Sequence, residues 1–523
     1  MSVSPGSVAQ PAAAPSWAPG LRAIVAIGAV VLAAVGQLLL ERARLQGIGP
    51  PSEAGALFLA AAVLAVAAAW KRNESFSGTR AFALFTPTWR WWLACAPGLL
   101  SLVLATVFEG TSSTRTVFLL WAGGIALLFA VGAAHAVGMR SRQRWRPPGD
   151  WPASRVVLGY LILIAVAVAM RTALGIQYLP AFVESDEAWG AMSARALGQD
   201  PYAWFGLWDA GCNKMALVPI RAAVLVFGES LWGVRMGGMV MGTICVLCTF
   251  AFARRLVGNL PAFTAALLVA VAHVLVHWSR NGHGYIWVPT GAAVILWLFV
   301  RVWTGGSLLS WIGTAVVLGI ASQVYYAAYA FPPLLIVTAV GWAVIGRVNW
   351  KAVVLSTLAI ELIALLIFAP QLKIMLNNPE LATVRARWLF ILSPENTEKM
   401  GGERTHLLLA HAKDTLAMFN TGYDSMPNYG AKRSLVDAVT AVLIPVAAAM
   451  VLVRLFSPVG WLCATWWATY LFIGVFLEAH PPSYHRIPAA ILFSSLAVAW
   501  ALAQLAATIR DGFRLRRSSV GVI

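Results

Sequence analysis

Fourteen apolar runs, most of them close to 20 residues long, dominate this chain. A run of that length fits one solution, a helix that crosses the hydrocarbon core of a bilayer. Hydrocarbon offers no partner to a peptide group, so each run must close its backbone hydrogen bonds within itself. The chain is therefore predicted to be an all-α polytopic membrane protein with about 14 transmembrane helices. The runs fall near residues 22–40, 54–70, 91–108, 116–138, 155–174, 231–253, 261–278, 286–302, 308–324, 327–345, 353–369, 435–453, 461–478 and 484–509. With 60% hydrophobic and only 11% charged residues, a soluble multidomain protein is excluded.

The net charge of +17 raises the question of nucleic acid, but the cations sit in short clusters between apolar runs. Lys71, Arg72, Arg80 and Arg90 form one cluster, and Arg140, Arg142, Arg144, Arg146 and Arg155 a stronger one. Arg254, Arg255, Arg347, Lys351, Arg510, Arg514, Arg516 and Arg517 continue the series. This is the positive-inside pattern. It puts both termini in the cytoplasm of a multi-pass plasma-membrane protein and makes membrane lipid, not nucleic acid, the neighbour of the basic residues. The Ala/Pro/Ser-rich first twenty residues suit a cytoplasmic tail rather than a cleaved signal peptide. Cys245 and Cys248 form a C-x-x-C, but Val246 and Leu247 and the apolar flanks read as a buried helix rather than a redox or zinc site.

Parity then places four polar stretches outside. The first outer loop, residues 176–230, opens on Glu184-Ser185-Asp186-Glu187 directly after an apolar run, where acids are costly unless they face water and have a task. The spacing of Trp189, Met192, Ala196 and Leu197 predicts a helix along the interface with those residues on its apolar side, and residues 215–227 a second, short one. Arg280 and His283 follow one later span, and His480, His485 and Arg486 lie between the last two. Residues 371–434 are too polar to span and are expected to form a lid or acceptor-facing loop.

Several of these stretches, in order, resemble a known family. Ser185-Asp186-Glu187-Ala188-Trp189 with Ala194-Arg195-Ala196-Leu197, then Lys214-Met215-Ala216-Leu217, Phe227-Gly228-Glu229-Ser230, Val234-Arg235-Met236 and Arg254-Arg255-Leu256-Val257-Gly258 are similar to the first outer loop and following turn of C-superfamily (GT-C) polytopic glycosyltransferases. The group is that of protein O-mannosyltransferases and lipid A aminoarabinose transferases. Tyr325-Tyr326 and the surrounding residues, Asn378-Pro379-Glu380 and Ser483-Tyr484-His485-Arg486-Ile487-Pro488 resemble later stretches of bacterial members. Two departures stand out: Met215 and Ala216 occupy positions where the family has two prolines, and the first four spans lie outside the family module. The resemblance implies residues 1–150 as an N-terminal extension, 151–370 as the catalytic module and 435–523 as C-terminal helices with a basic tail.

It also implies an inverting glycosyltransferase, which moves a sugar from a polyprenyl-phosphate donor to an acceptor hydroxyl on a lipid, glycan or protein at the outer face. Asp186 is then the expected base, because partial desolvation raises a carboxylate towards working pH. Glu187, on another face of the helix, is assigned to positioning or to the sugar. Capping of the helix amino terminus accounts for the same acids. Lys214, Arg280 and Arg486 are the expected donor-phosphate ligands, with snorkelling anchors as the plainer account. His283, His485, Tyr325 and Tyr326 are expected to touch sugar or phosphate, although structural histidines and an interfacial aromatic belt explain them too. No metal or other cofactor is expected. A transporter or flippase of lipid-linked saccharides, or a scaffold that binds such a lipid, is the alternative; Glu361 is the main acid inside a span.

Overall fold

Without water to reward surface polarity, helices here associate through shape, and small residues mark where they meet. The structure, a computed structural model, describes residues 19–47, 49–69, 84–138, 151–173, 183, 185–200, 202–209, 212–399, 404–424, 433–477 and 482–513. The amino-terminal tail, Glu184, His480, the clusters at 71–80 and 140–146 and Arg514, Arg516 and Arg517 lie outside the described residues.

Each of the fourteen apolar runs is helical. Ten helices are long and apolar enough to cross a membrane, or eleven with the pair Asn259–Val271 and His273–Ser279 counted as one span bent by 58°. Three shorter apolar helices, Ser52–Ala68, Leu308–Ala321 and Ala438–Val453, occupy the remaining runs. Among the described residues the strands are Leu207–Asp209 and Cys212–Asn213, a minimal antiparallel pair in the first outer loop. Cys245 and Cys248 are buried in the Leu231–Val257 helix, as expected.

The first four helices pair as two hairpins. Pro19–Leu45 and Ser52–Ala69 meet along Ala26, Ala29, Ala33, Ala61, Ala65 and Ala68, all fully buried, and lie against Ala438–Val453 and Ala490–Gly512. Trp89–Phe108 and Thr114–Gly138 cross at Gly98 and Gly124. A Cβ on Gly98 would stand 2.9 Å from the Gly124 carbonyl oxygen, and one on Gly124 2.8 Å from that of Gly98. This second hairpin packs on Leu308–Ala321 and Trp350–Asn377. The most enclosed spans, at 72% buried, are Gly284–Trp303 and Ala490–Asp511, against 22% for Trp89–Phe108, so the centre of the bundle is made by the later helices.

Several boundaries differ from the sequence expectation. Trp350–Asn377 runs through Pro370, and residues 379–417 carry three further helices, Pro379–Leu389, Pro394–Lys399 and Arg404–Ala417, rather than an open loop. The last helix starts at Ala490, not Tyr484; Pro488 lacks the N–H that an earlier helical turn would need. Leu308–Ala321 has 14 residues, about 21 Å of rise against a core of about 30 Å. Beyond it, Gln323 Nε2 donates to the Ile367 carbonyl (3.2 Å), ten residues before the end of Trp350–Asn377. That carbonyl lies about 15 Å below the helix end, and Tyr325 and Tyr326 follow two and three residues after Gln323.

Candidate active site

The helix Ser185–Leu197 carries the two acids of the opening motif, and its buried face is Glu187, Gly190, Ala194 and Leu197. Trp189 and Met192, on the expected apolar side, are exposed and face away from the rest of the protein. Burial goes instead to an ion pair and small residues. Glu187 Oε1 accepts from Arg235 Nε and Oε2 from Arg235 Nη2, both at 2.8 Å, and Oε1 also accepts the Gly282 N–H at 2.8 Å. Glu187 and Arg235 are 1% and 0% exposed, so both ions are desolvated and each offsets part of the other's desolvation. Asp186, one residue earlier, faces outward and has no partner among the described residues.

Arg235 reaches Glu187 from Leu231–Val257, between glycines that let the 279–284 segment lie on the helix. An ideal Cβ on Gly238 would come within 2.8 Å of the Ser279 carbonyl oxygen and 2.9 Å of that of Asn281. The segment is aimed by the bend at Ala272. Arg171, fully buried, donates to the carbonyls of Ala167 (3.1 Å), Ala270 (3.3 Å) and Gly242 (3.3 Å), and so satisfies an oxygen that the bend frees.

From His283 an aromatic network crosses the site. His283 stacks on Tyr285 (5.1 Å between centroids), Tyr285 meets Tyr325 (5.4 Å) and His485 (5.0 Å), and Tyr325 O–H donates to Tyr326 at 2.6 Å. His485 Nε2 accepts from Arg486 Nε (3.1 Å), which leaves Nδ1–H to donate to Ser483 Oγ (2.8 Å). Arg486 also caps the Leu477 carbonyl (3.2 Å). The Tyr484 amide donates to Asp424 (2.7 Å), and its hydroxyl is shared between the carbonyls of Gly422 and Arg433. Burial, then Asp424, pushes that hydroxyl's pKa up and keeps it a donor.

The three expected phosphate ligands part company. Arg280 donates to the carbonyls of Arg171 (3.1 Å) and Ala173 (2.7 Å), capping the Ala153–Thr172 helix, and burial lowers its pKa. Arg486 is buried and committed as above. Lys214 is half-buried, and its ammonium has no hydrogen bond or ion pair among the described residues. Its backbone N–H donates to Gly206 (2.9 Å), while its neighbour Asn213 bonds Gln371 (2.8 Å) and Tyr329 (3.3 Å). Of the residues expected at the site, Asp186 and Lys214 are the carboxylate and the ammonium that have no hydrogen bond or ion pair among the described residues. Glu361 has one carboxylate oxygen buried without a hydrogen bond, inside its span and apart from this network.

Residues 215–374 match the family described as dolichyl-phosphate-mannose-protein mannosyltransferase. The resemblance read from the motifs is borne out, and Arg280, His283, Tyr325 and Tyr326 fall within the matched stretch. No curated protein matches the chain. Similar solved structures include the archaeal oligosaccharyltransferase AglB from Archaeoglobus fulgidus in complex with an inhibitory peptide and a dolichol-phosphate, at 13% identity and TM-score 0.44 over 66% of this chain. The match covers 50% of that protein's length. ArnT from Cupriavidus metallidurans bound to undecaprenyl phosphate is similar at 13% identity over 69% of this chain and 78% of its own, with TM-score 0.36.

Proposed function

We infer that this protein is an integral-membrane glycosyltransferase that takes its sugar from a polyprenyl-phosphate donor and passes it, with inversion, to an acceptor hydroxyl at the outer face. The observation that carries this reading is that Asp186 and Lys214, neither with a hydrogen bond or ion pair among the described residues, sit on two elements that touch, Ser185–Leu197 and Lys214–Leu217, joined to a family match that itself names a dolichyl-phosphate sugar donor. Asp186 takes the proton of the acceptor hydroxyl as that oxygen attacks the anomeric carbon. The bond to phosphate breaks on the opposite side, and Lys214 balances the charge left on the polyprenyl phosphate. Glu187 does not touch the reacting atoms: its oxygens are used by Arg235 and Gly282, and it fixes the helix from which Asp186 projects. Because that leaves Asp186 as the available acid of the pair, a divalent ion would find a poor donor set beside it, and transfer is assigned to the acid and the ammonium.

Purified protein in nanodiscs, given labelled polyprenyl-phosphate mannose and related sugars with envelope lipids, glycans or peptides, is expected to transfer label in the presence of EDTA. Asp186→Asn is expected to reduce transfer by at least about a hundredfold with unchanged melting temperature. Full activity in that variant removes Asp186 as the base; absence of transfer from every donor removes the reaction class.

A further inference from the structure

The second N-terminal hairpin, Trp89–Phe108 with Thr114–Gly138, lies outside the matched residues, yet it holds the first outer loop at several points. Thr114 Oγ1 donates to Asp200 Oδ2 (2.8 Å), and Asp200 Oδ1 accepts the Tyr202 N–H (3.0 Å). The Arg115 guanidinium lies 5.6 Å from the Tyr202 ring centre. Phe118 packs on Tyr202 (5.6 Å) and Trp204 (4.7 Å), and Trp121 on Trp204 (6.2 Å) and Phe205 (5.4 Å). Trp121 is itself fixed by its Nε1–H bond to the Ile367 carbonyl (2.9 Å). The clasped segment ends at Gly206, whose φ of 122° only glycine adopts readily. Gly206 N–H donates to Gln371 Oε1 (2.8 Å), and its carbonyl takes the Lys214 N–H. A Cβ on Gly206 would stand 3.4 to 3.6 Å from the Lys214 side chain from Cδ to Nζ, so that chain lies against the bare backbone there. Lys373 ties the same end of the hairpin, on its first helix, to Trp350–Asn377 through the carbonyls of Thr106 (3.1 Å) and Val107 (3.0 Å).

We propose that this hairpin is a positioning element for Lys214: Thr114, Arg115 and Phe118 hold residues 200–206, and Gly206 in turn sets where the Lys214 ammonium meets the donor phosphate. The proposal rests on the glycosyltransferase reading for the identity of the anion, but not for the mechanical link. A loop of this kind is ordered only by contacts on both sides, and without the hairpin one side is gone. An appended anchor would have no reason to place an aromatic wedge and a hydroxyl on a loop of the catalytic module.

The test uses the full chain in nanodiscs with Thr114→Val, Phe118→Ala and, as the conservative variant, Thr114→Ser. Binding of undecaprenyl phosphate is measured by native mass spectrometry, and amide hydrogen exchange is followed across residues 200–214. Phe118→Ala and Thr114→Val are expected to weaken binding by at least about threefold and to speed exchange in that segment alone, with Thr114→Ser near wild type. In a Lys214→Ala background the same substitutions are expected to change binding little, because the route ends at that ammonium. Unchanged binding and exchange in Phe118→Ala, or an equal loss with and without Lys214, overturns the proposal. Neither readout needs turnover, so a protein that binds the lipid phosphate through this route but transfers no sugar sinks the proposed reaction and leaves the positioning role standing.

Discussion

The buried pair of Glu187 and Arg235 is the residue-level contact on which the site's geometry depends most. Removal of one partner takes away the counter-charge of an ion with almost no exposure, at a cost of about 3–5 kcal/mol. Arg235→Met or Glu187→Gln is therefore expected to lower the melting temperature sharply. The double variant Glu187→Met with Arg235→Met is expected to recover most of that stability, since apolar replacement of both ions is often neutral, but not transfer, because Gly282 loses its anchor. Recovery of both together would show that the pair has no positioning role. A second residue, Glu109, caps the outer end of Trp89–Phe108. Burial raises its carboxyl above the ordinary 4.5, and Lys373 and the Gly110 N–H pull it partly back. A raised carboxyl contributes stability that is present below pH 4.5 and lost as pH rises through the raised value. Glu109→Gln is thus expected to flatten the pH dependence of melting just above pH 4.5 and Lys373→Met to steepen it; an unchanged slope in both counts against this assignment. Arg235 stood in the sequence as part of a motif but was not singled out. Its signal was an arginine set among Gly233, Gly237 and Gly238 inside an otherwise apolar run.

At the scale of elements, the glycines of Leu231–Val257 decide how closely the 279–284 segment lies on the helix. Both atoms nearest a Cβ at Gly238 are backbone oxygens, which cannot move aside as a side-chain tip can. Gly238→Ala is expected to cost about 1–3 kcal/mol and to reduce transfer through displacement of His283. Gly123→Ala, on a helix where nothing lies within 4 Å of the new methyl, is expected to be neutral or to stabilise by about 0.5–1 kcal/mol. Thermal melts of the two variants separate close packing from helix propensity; equal effects would argue against the packing account. The apolar runs made the helices legible, because span length is imposed by the bilayer. What the pattern could not show was the bend at Ala272, which contains neither proline nor glycine and depends on Arg171 from another helix. The start of the last helix at Ala490 was equally hidden, although Pro488 offered a clue.

Across the whole molecule, the topology drawn from charge parity can be tested against which ends touch. Thr114 with Asp200, Lys373 with Val107, Gln37 with Asn420, Asp424 with Tyr484, and Glu187 with Gly282 all join residues that parity assigns to the outer side. Phe85 with Val302, Arg255 with Thr304, and Trp342 with Pro458 join residues assigned to the inner side. Fourteen alternating crossings, including the three short helices, satisfy every one of these pairs, whereas omission of any one short helix would put later partners on opposite faces. The pairs sort these ends into two groups, and the basic clusters predict which group is cytoplasmic. Ser112 is exposed in the turn between the helices of the second hairpin, and Lys351 is exposed at the start of Trp350–Asn377. Cys95, Cys245, Cys248 and Cys463 are all buried, so background reaction from these four is low. In intact cells, Ser112→Cys is expected to react with a membrane-impermeant maleimide and Lys351→Cys to react only after permeabilisation. The reverse pattern would invert the protein, move Asp186 and Lys214 to the cytoplasmic face and require a donor presented there; labelling of both positions from one side would break the alternation itself.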